Sequence, residues 1–170
     1  TMELASVVGL GVLEGRWTDD RLDSAWIAPT AEQLYHELDR FHLPPVADSS
    51  WGEWHYFNVS TGPGEWWYIT YLIGGEVLRG RWGGQLLVTH QRAGGKVDRF
   101  SADFQSRDVW FDTTGADLVL GENRVTQREG RYHLRAQARG PAGRMALDLI
   151  ITPDPNRYFP PVSLREGEYV

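Results

Sequence analysis

The residues best suited to chemistry are concentrated in one duplicated segment. Residues 52–58 and 64–70 read Gly-Glu-Trp-His-Tyr-Phe-Asn and Gly-Glu-Trp-Trp-Tyr-Ile-Thr, the same phrase twice, twelve residues apart. Eight aromatic residues lie between Trp51 and Tyr71. Trp and Tyr supply flat apolar surface with a polar end, and the interleaved acids, amide and His add further polar groups. This composition predicts an apolar cavity with a few polar contacts, hence binding of a hydrophobic small molecule.

If the duplicated segment forms strands, its successive side chains lie on opposite faces of the sheet. Each copy has three residues of interest on a single face: Trp54, Tyr56 and Asn58 in the first copy, and Trp66, Tyr68 and Thr70 in the second. If the first set points inward, the cavity gains flat walls, a phenol and an amide that can orient a carbonyl or enol. The alternative is that these aromatic residues only fill the core, with their O–H and N–H groups bonded to neighbours.

Acids and histidines provide further candidates. Glu53 or Glu65 could act as a general acid if it is buried against Trp, because desolvation raises the pKa of a carboxyl group. Each also begins a strand beside a Gly, where a carboxylate is commonly solvated. Of the five histidines, only His55 and His90 lie in strands with suitable inward neighbours. Glu53, His55 and His90 are therefore predicted to contact the substrate. The spacings His-x-His and His-x-x-x-His are absent, so no metal site is predicted.

Composition excludes several functional classes. The 170-residue chain has a formal charge of −6, which disfavours a nucleic-acid partner, and it has no Cys, which excludes disulfides and thiolate catalysis. The nucleophile motif Gly-x-Ser-x-Gly is absent. The N-terminus carries an acid where a signal peptide requires positive charge, and its apolar run is too short to span a bilayer. A cytoplasmic protein is expected.

One short helix is predicted before the strands. Thr30 can serve as N-cap with Gln33 as its capping-box partner, an apolar stripe follows, and Pro44-Pro45 ends the helix near Leu43. We therefore expect an N-terminal segment, residues 1–49, with a helix over 30–43. Residues 50–170 form the second part, a β domain.

From Trp51 to Thr152 the hydrophobic period is two, as in strands. Beyond the aromatic hairpin, strands are predicted over Gln85–Arg92, Lys96–Gln105, Tyr132–Ala138 and Arg144–Ile151, with shorter ones over Val109–Phe111, Leu118–Leu120 and Val125–Gln127. Glycine-containing turns separate most of them. About eight or nine short strands without intervening helices predict an all-β fold, an antiparallel meander that closes or nearly closes into a barrel. An eight-stranded barrel can hold one small ligand.

The aromatic hairpin carries a family resemblance. Residues 50–58, Ser-Trp-Gly-Glu-Trp-His-Tyr-Phe-Asn, resemble the Glu-Trp-Trp-Tyr-Phe-Asp signature of a lipocalin-like (calycin) superfamily. That superfamily contains carotenoid hydratases (hydroxyneurosporene synthases) and the Diels–Alderases of polyketide biosynthesis. Residues 116–121 and the exit Thr152-Pro153-x-Pro155 are similar to the N-terminal half of such proteins. The resemblance covers roughly residues 50–170.

The resemblance implies one barrel of a two-barrel assembly, with a hydrophobic substrate between or within the barrels. The second barrel would come from a separate chain, from a second copy or from a segment outside this sequence. By position, Asn58 stands where many relatives have Asp, and His55 replaces the second Trp. An amide orients a carbonyl but does not protonate an alkene, which favours a cyclase over a hydratase.

The expected function is binding of a polyene or polyketide-like molecule and its cyclisation or another non-redox rearrangement, without a cofactor. Tyr56, Asn58 and Tyr68 are the expected catalytic residues. Two alternatives stay open. One is acid-catalysed hydration by Glu53, Glu65 or Asp103, and the other is a non-catalytic carrier of an apolar ligand.

Overall fold

The computed structural model describes the backbone of residues 2–5 and 12–15, His36, and residues 39–152. The chain separates into two compact units: Thr1–Ala31 together with Asp154–Val170, and Glu32–Pro153. In the first unit, strands β1 (Met2–Ala5) and β2 (Val12–Gly15) form an antiparallel pair. The second unit contains all the predicted site residues.

The second unit is an antiparallel sheet of nine strands, which confirms the all-β prediction. Its strands are β3 (Gly52–Gly62), β4 (Glu65–Glu76), β5 (Arg81–Gln91), β6 (Val97–Gln105), β7 (Val109–Phe111), β8 (Leu118–Leu120), β9 (Asn123–Arg128), β10 (Arg131–Gly140) and β11 (Gly143–Ile151). Single turns of 3-10 helix follow β4 and β6. The short strands β7 and β8 lie where the sequence predicted them. Glycines with positive φ, such as Gly64 and Gly130, allow the tight turns between neighbours.

Two meanders build the sheet. Strands β3 to β6 pair in chain order, and so do strands β7 to β11. The meanders join where Ser101 of β6 meets Arg139 of β10. The neighbouring Gly140 is required there, because a Cβ at that position would collide with the carbonyl oxygen of Arg99.

A gap in the ladder marks this junction. One edge of β10 pairs with β9 as far as Arg135 and with β6 at Arg139. Between these points, the Tyr71 hydroxyl crosses the core and donates to the Arg135 carbonyl oxygen at 2.7 Å. The Gln137 N–H donates to Oδ1 of the buried Asn123 at 2.6 Å. Two side chains thus replace the missing ladder bonds.

The core lies on one face of the curved sheet. Its largest fully buried side chains come from both meanders and include Ile69, Tyr71, Ile73, Leu86, Leu118, Leu120 and Leu134. The predicted apolar faces of β5 and β10 are confirmed, since Leu86, Val88 and His90 are buried, as are Tyr132, Leu134, Ala136 and Ala138.

The sheet does not close through hydrogen bonds, because β3 and β7 are its ends and the strands described do not pair them. Residues 39–43, here called the bridging segment, lie between them. Phe41, 1% exposed, donates its N–H to the Asp112 carbonyl just after β7 at 3.2 Å. Its ring centroid is 4.6 Å from that of His55 on β3 and 5.6 Å from that of Phe111 on β7.

The described residues include His36 and residues 39–43 of the predicted helix. Residues 30–35, 37 and 38 lie outside the described residues, and His36 lies in a helical turn. Asp39 and Arg40 form a bend, and residues 41–43 are irregular. Any helix here therefore ends before Asp39, earlier than the predicted end at Leu43, because the following residues bond to β3 and to the loop after β7.

Candidate functional site

The predicted site residues divide between the two faces of the hairpin formed by β3 and β4. The register places Asn58 opposite Tyr68 and Tyr56 opposite Thr70. Six predicted residues therefore share one face, which we call the aromatic face: Trp54, Tyr56, Asn58, Trp66, Tyr68 and Thr70. Glu53, His55 and His90 belong to the opposite, core-facing side.

The aromatic face is on the outer surface of the sheet. Trp54 is 60% exposed, Tyr56 51% and Trp66 38%, and the Trp66 and Tyr68 rings stack with centroids 6.5 Å apart. On the adjacent strand β5, Leu87 lies opposite Thr70 and is 39% exposed. Opposing residues of an antiparallel pair have their Cβ atoms about 5 Å apart, so these side chains form one continuous apolar surface with phenol, amide and hydroxyl groups within it.

The inward orientation considered for Trp54, Tyr56 and Asn58 is therefore wrong. Both faces of the hairpin are aromatic, so alternation alone did not distinguish them. The face that turns inward is the one bearing Ile69, Tyr71 and Ile73, all 0% exposed. It continues the apolar faces of β5 and β10, and burial of the larger contiguous apolar surface decides the orientation.

His90 and Glu65 form a pair near one end of the hairpin. His90 Nε2 lies 2.7 Å from Glu65 Oε1. The Trp67 ring stacks on the His90 ring, with centroids 3.7 Å apart and an interplanar angle of 7°. Hydrogen bonds from His90 and Thr61 lower the pKa of the Glu65 carboxyl. On the adjacent strand β6, the buried Asp98 forms an ion pair with Arg92, whose Nε lies 2.8 Å from Asp98 Oδ2. A lowered carboxyl pKa does not suit a general acid.

His55 belongs to a polar cluster that the sequence did not reveal. Its Nε2 lies 2.7 Å from the Asp39 carbonyl oxygen. A carbonyl only accepts, so Nε2 carries the proton and Nδ1 carries the lone pair. Nδ1 is buried and has no hydrogen-bond partner among the residues that the structure describes. Burial lowers the pKa of His55, more than the nearby Asp39 carbonyl and carboxylate raise it.

The Asp39 carboxyl and the Tyr132 hydroxyl complete this cluster. Tyr132 donates its hydroxyl hydrogen to Asp39 Oδ2. Burial raises the pKa of Asp39 despite that hydrogen bond and the nearby His55. The cluster therefore brings together a histidine whose pKa is lowered and a carboxyl group whose pKa is raised, two kinds of group that serve in general acid–base catalysis. Asp39 and Tyr132 are 93 residues apart, and no local pattern indicates their contact.

Two of the cavities among the described residues differ in their relation to the predicted site residues. One of about 270 Å³ lies between the bridging segment and β3 and is lined by Asp39, Arg40, Phe41, His42, Gly52, Glu53, Trp54 and His55. At its rim, the His42 N–H donates to Glu53 Oε2 at 2.6 Å. The other, about 620 Å³, is on the second meander and contacts no predicted site residue. Its lining includes Arg124, Arg135, Gln137 and Asp148.

Among the described residues, no three His, Asp or Glu side chains are placed to hold a metal ion. No helix within the described ranges has the length and apolar character needed to cross a membrane. The chain matches no protein-family model, and no curated protein or solved structure matches it significantly.

Proposed function

We propose that the chain binds a hydrophobic polyene or polyketide-like molecule on its aromatic face and promotes the cyclisation or another non-redox rearrangement of that molecule. The supporting observation is the exposure of Trp54, Tyr56 and Trp66 on adjacent strands. Isolated exposed apolar side chains are ordinary on protein surfaces, whereas a continuous patch of large ones marks a binding surface. A cytoplasmic location remains a prediction.

The proposal includes a second protein domain. A ligand that lies on one face of a sheet otherwise leaves half of its own surface in water. We propose that a second β-barrel, from a separate chain or a second copy, supplies the opposite wall. In this view the nine strands form a calycin-like barrel preceded by a short helix. The bridging segment then fills the opening between β3 and β7 in place of a ladder.

Catalysis in this proposal depends on orientation and needs no cofactor. Fixing a flexible chain in its reactive conformer can lower a barrier by several kcal/mol. Tyr56, Asn58 and Tyr68 lie together among the aromatic rings and offer hydrogen bonds to a carbonyl, which draws charge from the reacting π system. The Asn58 amide remains neutral at every pH that leaves the protein folded, so it orients the substrate and does not protonate it.

Binding is tested with cis-parinaric acid, a linear polyene whose own fluorescence rises in an apolar site. We expect Trp54→Ala and Tyr56→Ala each to weaken binding about tenfold, since each removes a large contact surface. The matched control is Trp110→Ala, because Trp110 is 54% exposed but lies on β7. Unchanged affinity in both hairpin variants, or equal loss in the control, would refute binding at this face.

Turnover is tested on candidate polyenes bearing a carbonyl group. Asn58→Ala and Tyr56→Phe should lower kcat more than they weaken binding, because their bonds strengthen as charge develops. Tight binding without turnover, with the chain alone and with its second barrel present, would leave only the carrier function.

Acid-catalysed hydration is a second candidate, and Asp39 is the residue that favours it. Hydration requires a carboxyl group that is protonated near neutral pH, and burial raises the pKa of Asp39. Two of the three acids predicted from the sequence suit this role less well. The pKa of Glu65 is lowered, and Asp103 is exposed and accepts a hydrogen bond from Gln85. A pH–rate profile that stays flat from about pH 5 to 8 would exclude this candidate.

A further inference from the structure

Among the described strands, β11 has one edge without a partner. It pairs with β10 along its whole length and with no other strand in the described ranges. The two strands meet in a two-residue turn, and the closing pair of such a hairpin, Gly140 and Gly143, exchanges hydrogen bonds. Every second residue from Gly143 therefore bonds to β10. The residues between them turn their backbone N–H and C=O groups outward: Arg144, Ala146, Asp148 and Ile150.

Among the described residues, this edge has only part of the usual protection against pairing, the charged side chains of Arg144 and Asp148. Natural edge strands carry prolines, bulges, charged side chains or inward-pointing charges, or are covered by another segment. The β11 sequence, Gly-Arg-Met-Ala-Leu-Asp-Leu-Ile-Ile, has no proline, and its register with β10 is unbroken. Its core-facing residues Leu147 and Leu149 are only half-buried, and Ile150 is 67% exposed. The core is thus incomplete along this edge, and another strand would complete it.

We propose that β11 pairs antiparallel with β11 of a second copy of this chain, about a two-fold axis at Ala146. The sheets of the two protomers then continue into each other. This inference rests on the edge strand alone and holds whether or not the aromatic face, on β3 and β4, binds a ligand.

The charges on β11 select both the partner and the register. With the axis at Ala146, Arg144 lies opposite Asp148 of the partner subunit, and the symmetric contact repeats this pair. An axis at Asp148 or at Arg144 would instead oppose two like charges, which is unfavourable for directly paired residues. Arg144 makes no ion pair with any described residue and is therefore available. Asp148 already contacts His133 and Arg135, one through each carboxylate oxygen, and each oxygen can accept a second bond.

The core-facing residues fit the same register. Met145 lies opposite the partner's Leu147, and Leu147 lies opposite the partner's Met145. Half-buried leucines of each protomer would therefore pack against apolar side chains of the other.

The experiment measures molecular mass by light scattering and sedimentation over a range of protein concentrations. The wild-type chain should dimerise. Arg144→Asp or Asp148→Arg alone should weaken the dimer about tenfold or more, because each opposes like charges at two symmetric positions, whereas the double variant should restore it. A matched control is Arg107→Asp, since the Arg107 side chain is 81% exposed and remote from β11 in sequence.

A second variant separates pairing from misfolding. Ala146→Pro removes an N–H that faces away from β10, so the hairpin keeps its bonds while pairing is blocked. It should give a folded monomer. Three outcomes would overturn the proposal: a wild-type monomer at about 100 μM, a dimer that persists in Ala146→Pro, or a dimer dispersed by Trp54→Ala.

Discussion

At the scale of single residues, His55 combines burial, a fixed tautomer and an unpartnered acceptor. Its Nε2–H donates to the Asp39 carbonyl oxygen, and the Phe41 ring lies with its centroid 4.6 Å from that of His55. Nδ1 has no hydrogen-bond partner among the described residues. Folding therefore favours the neutral ring. A histidine whose folded pKa is depressed costs stability as the pH falls below its unfolded pKa of 6.5, because only the unfolded chain takes up the proton.

This predicts a pH-dependent effect of His55→Gln. Glutamine can still donate to the Asp39 carbonyl but does not titrate, so the variant lacks the acid-linked loss. The wild type should have a larger free energy of unfolding than the variant, as measured by urea denaturation. This difference should shrink by about 1 kcal/mol between pH 7.5 and 5.5. The raised pKa of Asp39 makes the folded state more stable as the pH falls, opposite to the effect of His55. Asp39 is present in the wild type and in the variant, so its contribution largely cancels when the two proteins are compared.

Phe57→Leu provides the comparison for this experiment. Phe57 packs against His55 with ring centroids 6.3 Å apart, so this change also loosens the cluster but removes no titrating group. Its stability deficit should stay constant with pH. A constant deficit for His55→Gln as well would show that the buried ring does not control the acid response.

Sequence patterns located His55 but not its role. The period-two pattern places His55 on the face opposite Trp54 and Tyr56. No local feature of the sequence indicates which of the two faces turns inward. Its partner Asp39 and the Tyr132 of that cluster come from a bend before the sheet and from its penultimate strand. Contacts of that separation are decided by how the whole sheet curves, which a local pattern does not contain.

At the scale of elements, the gap in the β10 ladder depends on two side chains. Burial of an unsatisfied carbonyl typically costs about 1–3 kcal/mol, so Tyr71→Phe should lower the free energy of unfolding by that amount. Tyr71 is 0% exposed, and its hydroxyl is the donor to the Arg135 carbonyl. The same chemical change at the exposed Tyr56 should leave stability nearly unchanged. Equal effects in thermal or urea unfolding would contradict the role assigned to Tyr71.

The strands themselves were predictable because each is specified locally. Alternation such as that of Tyr132, Leu134 and Ala136 defines a buried face, and glycines able to adopt positive φ end the runs. The end of the predicted helix was not predictable in the same way. The capping signals are local, but Phe41 and His42 form hydrogen bonds with Asp112, Glu53 and Trp51. Such tertiary contacts override intrinsic helix preference.

At the scale of the whole molecule, the bridging segment connects the two ends of the open sheet. Phe41 contacts β3 through His55 and β7 through Phe111, and it is almost fully buried. Phe41→Ala should lower the free energy of unfolding by about 3–5 kcal/mol. It should also speed hydrogen exchange at amides of β3 and β7 more than at amides of β10.

Leu43→Ala is the control within the same segment, because Leu43 is 49% exposed. Its effect should stay within about 0.5 kcal/mol, as for most surface substitutions. If the two variants unfold alike, residues 39–43 do not hold the sheet ends together. The order of strands along each meander follows from the chain, but the β6–β10 junction and this bridge do not, since both join segments that are distant in sequence.

The β6–β10 junction also has a kinetic consequence. Every pairing in the sheet joins consecutive strands except the one between Ser101 and Arg139. Hairpins close fast, whereas contacts between distant segments must first overcome the entropy of a long loop. We expect each meander to assemble early and on its own, and their docking to limit the rate. Substitutions at Gly140, where a Cβ would meet the Arg99 carbonyl oxygen at the junction, should then slow refolding far more than substitutions at turn glycines away from it, such as Gly64.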